Sequence, residues 1–173
     1  MIKTTVDIEN PILGSKMKEK NGEHPFSHAG QLISLGLFLV VWGGDSFFLR
    51  KTTFLSDAVP LFIRLLLLAL SLGVSFYLSK SGHVVISHKE PPKGVVTTGA
   101  FRYVRHPIYL GTLLFYLGLS MVTASLLSLA LLVFIFVFYD YIASYEEKLL
   151  EARFGEEYWN YKRRTGKWAP WLG

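Results

Sequence analysis

Gly99-Ala-Phe-Arg-Tyr-Val-Arg-His-Pro-Ile-Tyr-Leu-Gly111 puts Arg102, Arg105 and His106 into a short loop directly ahead of an apolar run. Pro107 suits the first turn of a helix, where the N–H it lacks would have had no intrahelical partner. A helix start also presents unpaired N–H groups and partial positive charge, so this loop can receive a carboxylate or a phosphate. Gly99 and Gly111 permit close approach of backbone or ligand. A second cluster, Glu146-Glu147, is followed by Tyr158, Tyr161, Arg163 and Arg164. A carboxylate pair only accepts hydrogen bonds, so it can hold an ammonium or ribose hydroxyls. Either cluster alone also fits a plain surface role, as a headgroup anchor or a solvated helix end. Together they are complementary, an anion-binding loop and a cation-binding helix end, which suits a zwitterionic cofactor with an adenosine.

Four apolar segments are available to position these groups. The first runs from Ala29 to Leu49, interrupted by Gln31 and Asp45, and the second from Val59 to Leu78, with Arg64 its one charge. Both can cross a hydrocarbon core of roughly 30 Å, which takes about 20 residues. The third, Ile108 to Val122, is short. The fourth starts near Ala124, and Thr123 to Ser125 is the break that makes the two a tight hairpin. From Ser125 to Phe154 there is no Pro or Gly, which gives a helix of about 45 Å. Its last turns, with Glu146, Glu147, Lys148, Glu151 and Arg153, then stand in water. Gly155 is a natural C-terminal stop, and a short amphipathic helix follows from Glu156 to Arg164. Asp45 and Arg64 lie at similar depth on neighbouring helices, which predicts a structural ion pair or a snorkelling arginine.

The chain has 173 residues, about half of them hydrophobic, no cysteine and a formal charge of +5. That apolar surplus points to a lipid-facing surface. In such a chain the basic excess reflects orientation and anionic headgroups, and no nucleic-acid motif argues otherwise. Disulfides, thiolate metal sites and a cysteine nucleophile are excluded. Met1 to Ser27 is polar and lacks the apolar core of a secretory signal. The N-terminal arm, the 79–107 loop and the C-terminal region hold 4, 5 and 6 of the 18 basic residues. The positive-inside rule therefore places all three, and both termini, in the cytosol. The pairs His24/His28 and His83/His88 lack carboxylates at ligand spacing, so no metal site is expected. Trp42-Gly-Gly-Asp45 lies inside an apolar segment and is not a nucleotide-binding glycine turn. The expected fold is all-α, a multi-pass bundle of four transmembrane helices with a cytosolic C-terminal helical cap. Its parts are a polar arm (1–28), two transmembrane helices (29–78) and a core (79–173) that carries the chemistry.

Val95 to Gly111 resembles the RHPxYxG signature of isoprenylcysteine carboxyl methyltransferases and phospholipid N-methyltransferases. Glu146 to Tyr161 resembles their C-terminal EE-x-L-x(4)-FG-x-x-Y-x-x-Y element. The two motifs stand in the expected order and flank a helical hairpin, and the resemblance covers about half the chain. It implies an integral-membrane methyltransferase that uses S-adenosylmethionine. His106, Pro107, Tyr109 and Gly111 would contact the cofactor, Glu146 and Glu147 would lie opposite, and Tyr158 and Tyr161 would cap the pocket. Arg164 matches a recurrent basic position. Lys167 stands where many bacterial relatives have Arg, which keeps the charge but loses bidentate geometry. Met1 to Leu78 carries no recognised motif.

Methyl transfer from a sulfonium is an in-line displacement that depends on holding donor and acceptor in line. Tyr109, Tyr158 or Trp159 can steady the sulfonium through their ring faces. A carboxylate acceptor needs orientation, by Arg105 or Arg164. An amine needs a base, His106 or a glutamate, and a thiol needs a lowered pKa. The first choice of acceptor is lipophilic and prenylcysteine-carboxylate-like, with phospholipid amines and small thiols as alternatives. A non-catalytic membrane binding or transport module is the competing reading. A membrane sterol reductase would want a nicotinamide site, for which there is no fingerprint.

Overall fold

Five α-helices run through the residues described in this computed structural model, 27–86 and 94–170. Helix α1, Ser27–Gly43, passes into one π-helical stretch, Gly44–Leu49, which ends at Arg50 in the left-handed region with φ 50°. A 3₁₀ turn, Phe54–Ser56, leads to α2, Leu61–Ile86. A second 3₁₀ turn, Gly99–Arg102, precedes α3, Pro107–Thr123. Then follow α4, Leu126–Phe154, and α5, Glu156–Lys162. Among the described residues the only β pairing is one isolated bridge, Val104 with Gly166. Most of the 1–28 arm, with His24, and residue His88 lie outside the described residues.

Helix limits follow from local chemistry. The second apolar segment starts at Leu61 rather than Val59, because Pro60 disfavours helical backbone in the residue before it. It also runs past Leu78 to Ile86, and there Gly82 packs closely on α3, where an added Cβ would meet Ile108 Cγ1 at 2.6 Å. The hairpin break comes at Ala124, φ 52°, followed by Ser125. Ser125 Oγ accepts the Ser128 N–H at 3.2 Å and caps α4, as short hydroxyl side chains do at helix starts. The stop expected at Gly155 is there, with φ 53° and its N–H donating to the Glu151 carbonyl at 2.9 Å. The last helix ends at Lys162, two residues before the expected limit.

Among the described residues three helices, Ala29–Leu49, Leu61–His83 and Leu126–Phe154, are long and apolar enough to cross a membrane. The apolar helix α3 has 17 residues, about 25 Å, which is shorter than the hydrocarbon core. Large apolar side chains face outward, among them Leu32, Val40, Leu66, Phe76, Phe134 and Val137.

Helix α3 lies between α2 and α4. Toward α2, small residues let the backbones approach: a Cβ on Gly118 would meet Ser71 Oγ at 2.9 Å, and Ser71 Oγ donates to the Leu114 carbonyl. Toward α1 and α4, Phe38, Tyr109, Leu113, Tyr116, Ile135, Tyr139, Ile142 and Ala143 form the main core. Phe38 stacks on Tyr116 with ring centroids 4.4 Å apart. Among the described residues the buried hydroxyls of Tyr116 and Tyr139 make no hydrogen bond of normal geometry, although each lies near the other, an arrangement that is costly in an apolar interior. Tyr116→Phe is therefore expected to keep the stability in detergent or to raise it by on the order of 1 kcal/mol, read as an unchanged or higher thermal midpoint. A clear drop in the midpoint would show that the Tyr116 hydroxyl is paired.

Asp45 and Arg64 do not pair. Asp45 accepts from Ser125 Oγ at 2.6 Å, from the Thr52 N–H at 3.3 Å and from the Thr52 hydroxyl. Arg64 donates from Nη1 to the Val122 carbonyl at 2.7 Å and from Nε to the Val59 carbonyl at 3.1 Å. Equal depth on neighbouring helices does not fix the direction in which a side chain leaves the helix.

Candidate active site

The loop ahead of α3 is fastened before its functional residues begin. Gly99, at φ 62°, opens the 3₁₀ turn. The Ala100 N–H donates to Ser81 Oγ of α2 at 2.8 Å, and Tyr161 of α5 donates its hydroxyl to the Phe101 carbonyl at 2.7 Å. The Arg105 N–H donates to the Gly166 carbonyl at 3.0 Å beside the Val104–Gly166 bridge. The loop is thus gripped by α2, α5 and the segment after α5, and it delivers His106 and Pro107 to the start of α3.

Glu147, buried near the end of α4, collects the cations around it. Its Oε1 accepts from Arg105 Nε at 2.9 Å and from His106 Nε2 at 3.1 Å. Its Oε2 lies 3.3 Å from Lys162 Nζ, which also donates to Glu151 Oε1 at 2.6 Å. Arg105 continues outward, with Nη1 donating to the carbonyls of Thr165 at 2.5 Å and Lys162 at 3.1 Å. One carboxylate and one guanidinium therefore tie α3, α4, α5 and the following segment together. Burial alone would lower the Lys162 ammonium, but Glu151 and Glu147 outweigh it and hold its pKa above the usual value.

Glu146 faces the same loop with different partners. Its Oε1 accepts the Tyr109 hydroxyl at 2.6 Å, and its Oε2 lies 3.9 Å from His106 Nδ1. The Tyr109 and His106 rings lie nearly parallel, 8° apart, with centroids at 5.8 Å. Trp168 covers the imidazole at the same centroid distance. Burial lowers the His106 pKa below its ordinary 6.5; Glu147 opposes this, while Lys167 and Arg105 add to it. The ring is therefore neutral at pH 7. Glu147 can only accept, so the ring proton belongs on Nε2, and Nδ1 keeps its lone pair. Nδ1 and Glu146 Oε2 are then two acceptors 3.9 Å apart, and a ligand ammonium or hydroxyl placed beside them can donate to both.

A pH dependence follows. The folded state protonates His106 less readily than the unfolded chain, so this contribution to stability is complete above about 6.5, the unfolded value. It falls as pH drops from there through the folded pKa. The thermal midpoint of the wild type should decline on acidification in this window, and His106→Gln should flatten that part of the curve. Identical slopes for both proteins would contradict the assignment.

The structure brings together Arg105, His106, Tyr109, Glu146 and Glu147, and sets other expected residues around them. Pro107 is buried at the first turn of α3. Gly111 faces α2, where a Cβ would meet Ser79 Oγ at 2.5 Å and the Ser75 carbonyl oxygen at 3.0 Å, so its smallness serves helix packing. Tyr158 and Tyr161 are buried, and their rings meet edge to face at 5.9 Å. Burial pushes both phenols up, so both remain protonated donors. Arg164 and Arg102 are exposed. Lys162 and Asp140, which belong to no motif in the chain, also join the site. Asp140 Oδ1 accepts from Lys167 Nζ at 2.5 Å and from Trp168 Nε1 at 2.8 Å, and Lys167 also donates to Ser144 Oγ at 2.7 Å. These bonds hold Trp168 over His106. Among the described residues no group of three or more histidines and carboxylates could hold a metal ion.

The sequence model of the phospholipid methyltransferase family matches residues 59–157, more than half of the chain. The chain belongs to this family. The match includes His106, Glu146 and Glu147 and ends just before Tyr158. Relatives include the protein-S-isoprenylcysteine O-methyltransferase of Saccharomyces cerevisiae, 34% identical over 93 residues that cover 52% of this chain and 38% of that protein. Methanethiol S-methyltransferase 1 of Bradyrhizobium diazoefficiens is 35% identical over 91 residues, covering 53% of this chain and 31% of that protein. A probable protein-S-isoprenylcysteine O-methyltransferase of Oryza sativa subsp. indica is 31% identical over 91 residues, 52% of this chain and 48% of that protein. The matched part of this family member thus spans less than half the length of each of these relatives. No solved structure matches the chain.

Proposed function

We propose that the chain is an integral-membrane methyltransferase that binds S-adenosylmethionine at the α3–α4 cluster and methylates a lipophilic acceptor. The observation that carries this reading is the acceptor pair formed by neutral His106 and Glu146 beside Tyr109, in a member of a methyltransferase family. The pair fits the ammonium or ribose hydroxyls of that cofactor, and the Tyr109 ring offers an aromatic face to a sulfonium. The cofactor would supply an electrophilic methyl group. What the chain contributes is placement and a dry enclosure.

In this reading Glu146 and His106 Nδ1 accept hydrogen bonds from the cofactor, and Tyr109 fixes the Glu146 rotamer. Glu147 and Arg105 are positioning residues that brace the loop and the cap. Tyr158 and Tyr161 close the cytosolic side, and Pro107 and Gly111 set the α3 backbone against α2. Arg164, exposed at the end of α5, is the cation that orients an acceptor carboxylate. A prenylcysteine carboxylate is the first choice of acceptor. A small thiol or a phospholipid amine is the alternative, with His106 Nδ1 as the base that takes the proton. The relative named as a methanethiol S-methyltransferase supports keeping the thiol.

The chain would cross the membrane four times, α3 as the short span, with residues 1–28 and the α5 cap both cytosolic. The distribution of Lys and Arg supports this orientation, and residues 79–173 would form the catalytic core. The experiment is methyl transfer from labelled S-adenosylmethionine by purified full-length chain to a panel of prenylcysteine, aminophospholipid and thiol acceptors. Label should enter one class, prenylcysteine first. Folded chain that binds the cofactor and labels none of them would remove the catalytic reading.

A further inference from the structure

At the end of the bundle opposite the carboxylate cluster, the π-helical stretch with the turn after it, the start of α2 and the end of α3 border an open pocket of about 320 Å³. Ser46, Arg50, Thr53, Ser56, Arg64 and Thr123 line it. Two guanidinium groups thus share one space, and among the described residues neither has a carboxylate within ion-pair distance. Asp45, the buried acid at this end, has its oxygens taken by Ser125 and Thr52, and Asp57 is exposed.

Both arginines are held in place by other means. Arg50 sits at the exit of the π-helical stretch with φ 50° and its backbone N–H bonded to the Asp45 carbonyl at 2.8 Å. A residue other than glycine adopts that region uncommonly, so the position of Arg50 is imposed by the turn. Arg64 uses Nε and Nη1 on the carbonyls of Val59 and Val122. A guanidinium has five N–H donors, so most of its donors stay available to a further partner. Around the pocket mouth stand strongly exposed apolar side chains: Phe47, 64% exposed, Phe48, 85%, Leu49, 61%, and Phe54, 62%. Such side chains belong in the lipid interface, the level at which phosphate groups lie.

We propose that Arg50 and Arg64 form a seat for the phosphate of an anionic membrane lipid, with its acyl chains lying along the exposed phenylalanines. An arginine pair offers the forked donors that phosphate oxygens accept. The lipid supplies the counter-charge that the chain itself does not place beside these cations. It also braces the α1–α2 connection, at the opposite end of the bundle from the candidate cofactor cluster, and so does not depend on the methyl acceptor.

The test uses the full chain in detergent micelles doped with phosphatidylglycerol or phosphatidylcholine, with retained lipid counted by native mass spectrometry. Wild type should retain phosphatidylglycerol in preference to phosphatidylcholine. Arg50→Gln should cut that preference on the order of fivefold, the weight of one basic residue at an anionic surface, with the thermal midpoint unchanged. Arg64→Gln also severs two backbone contacts, so Arg50→Gln carries the decision; its side chain makes no hydrogen bond among the described residues. Equal retention of both lipids by wild type, or an unchanged preference in Arg50→Gln, would overturn the proposal. So would displacement of phosphatidylglycerol by excess inorganic phosphate, which would make this a soluble-anion site.

Discussion

Glu147→Ala is expected to be the most damaging single change in the chain. It leaves Arg105 and His106, both with side chains 7% exposed, without the carboxylate that faces them. Removing one partner of a buried ion pair costs about 3–5 kcal/mol, because the other charge stays buried. Here the consequence spreads, since Arg105 also holds the Thr165 and Lys162 carbonyls. The variant should melt well below wild type in detergent, and limited proteolysis should cut first in the 156–170 region. S-adenosylmethionine binding should be lost with it. Glu147→Gln keeps the shape but not the charge, and should fall between the two. A Glu147→Ala protein that melts like wild type would show that the cap is held by other contacts.

Glu146→Ala should separate binding from folding. Glu146 is the more open of the two carboxylates, with 14% side-chain exposure against 7% for Glu147, and it carries the acceptor side of the proposed seat. Loss of a charge-assisted hydrogen bond to a ligand costs about 2 kcal/mol, roughly thirtyfold in affinity. The thermal midpoint should change little, since Arg105, His106 and Lys162 keep Glu147. Tyr109→Phe should show a weaker version of the same effect, because the Glu146 rotamer loses the hydroxyl that fixes it. If Glu146→Ala lowers the midpoint as far as Glu147→Ala while sparing affinity, the roles of the two carboxylates are reversed.

Much of this arrangement was legible in the chain because it rests on strong local signals. Pro107 and Gly155 bound their helices as expected, and an uninterrupted run from Ser125 to Phe154 had to carry Glu146 and Glu147 beyond the apolar core to the level of the Arg105–His106 loop. Other features depend on direction around a helix or on backbone acceptors, which residue types do not encode. Equal depth alone predicts an ion pair of Asp45 with Arg64 or a snorkelling arginine, yet Asp45 turns to Ser125 and Arg64 to the Val122 carbonyl. Arg105 was expected to orient an acceptor, whereas in the structure its Nε and Nη1 are engaged by Glu147 and two carbonyls. The strap from Lys167 and Trp168 to Asp140 joins residues far apart in the chain. Lys167 was noted only for the bidentate geometry it lacks. A single ammonium meeting a carboxylate, a hydroxyl and a carbonyl needs no such fork.

The proposed function requires S-adenosylmethionine to bind at the α3–α4 cluster. Isothermal calorimetry of the purified full-length chain in detergent, titrated with that cofactor near neutral pH, tests it most directly. Saturable binding at one site per chain is expected, weakened roughly thirtyfold by Glu146→Ala at an unchanged thermal midpoint. Folded wild-type chain that binds no cofactor, or binding that Glu146→Ala leaves untouched, would contradict it.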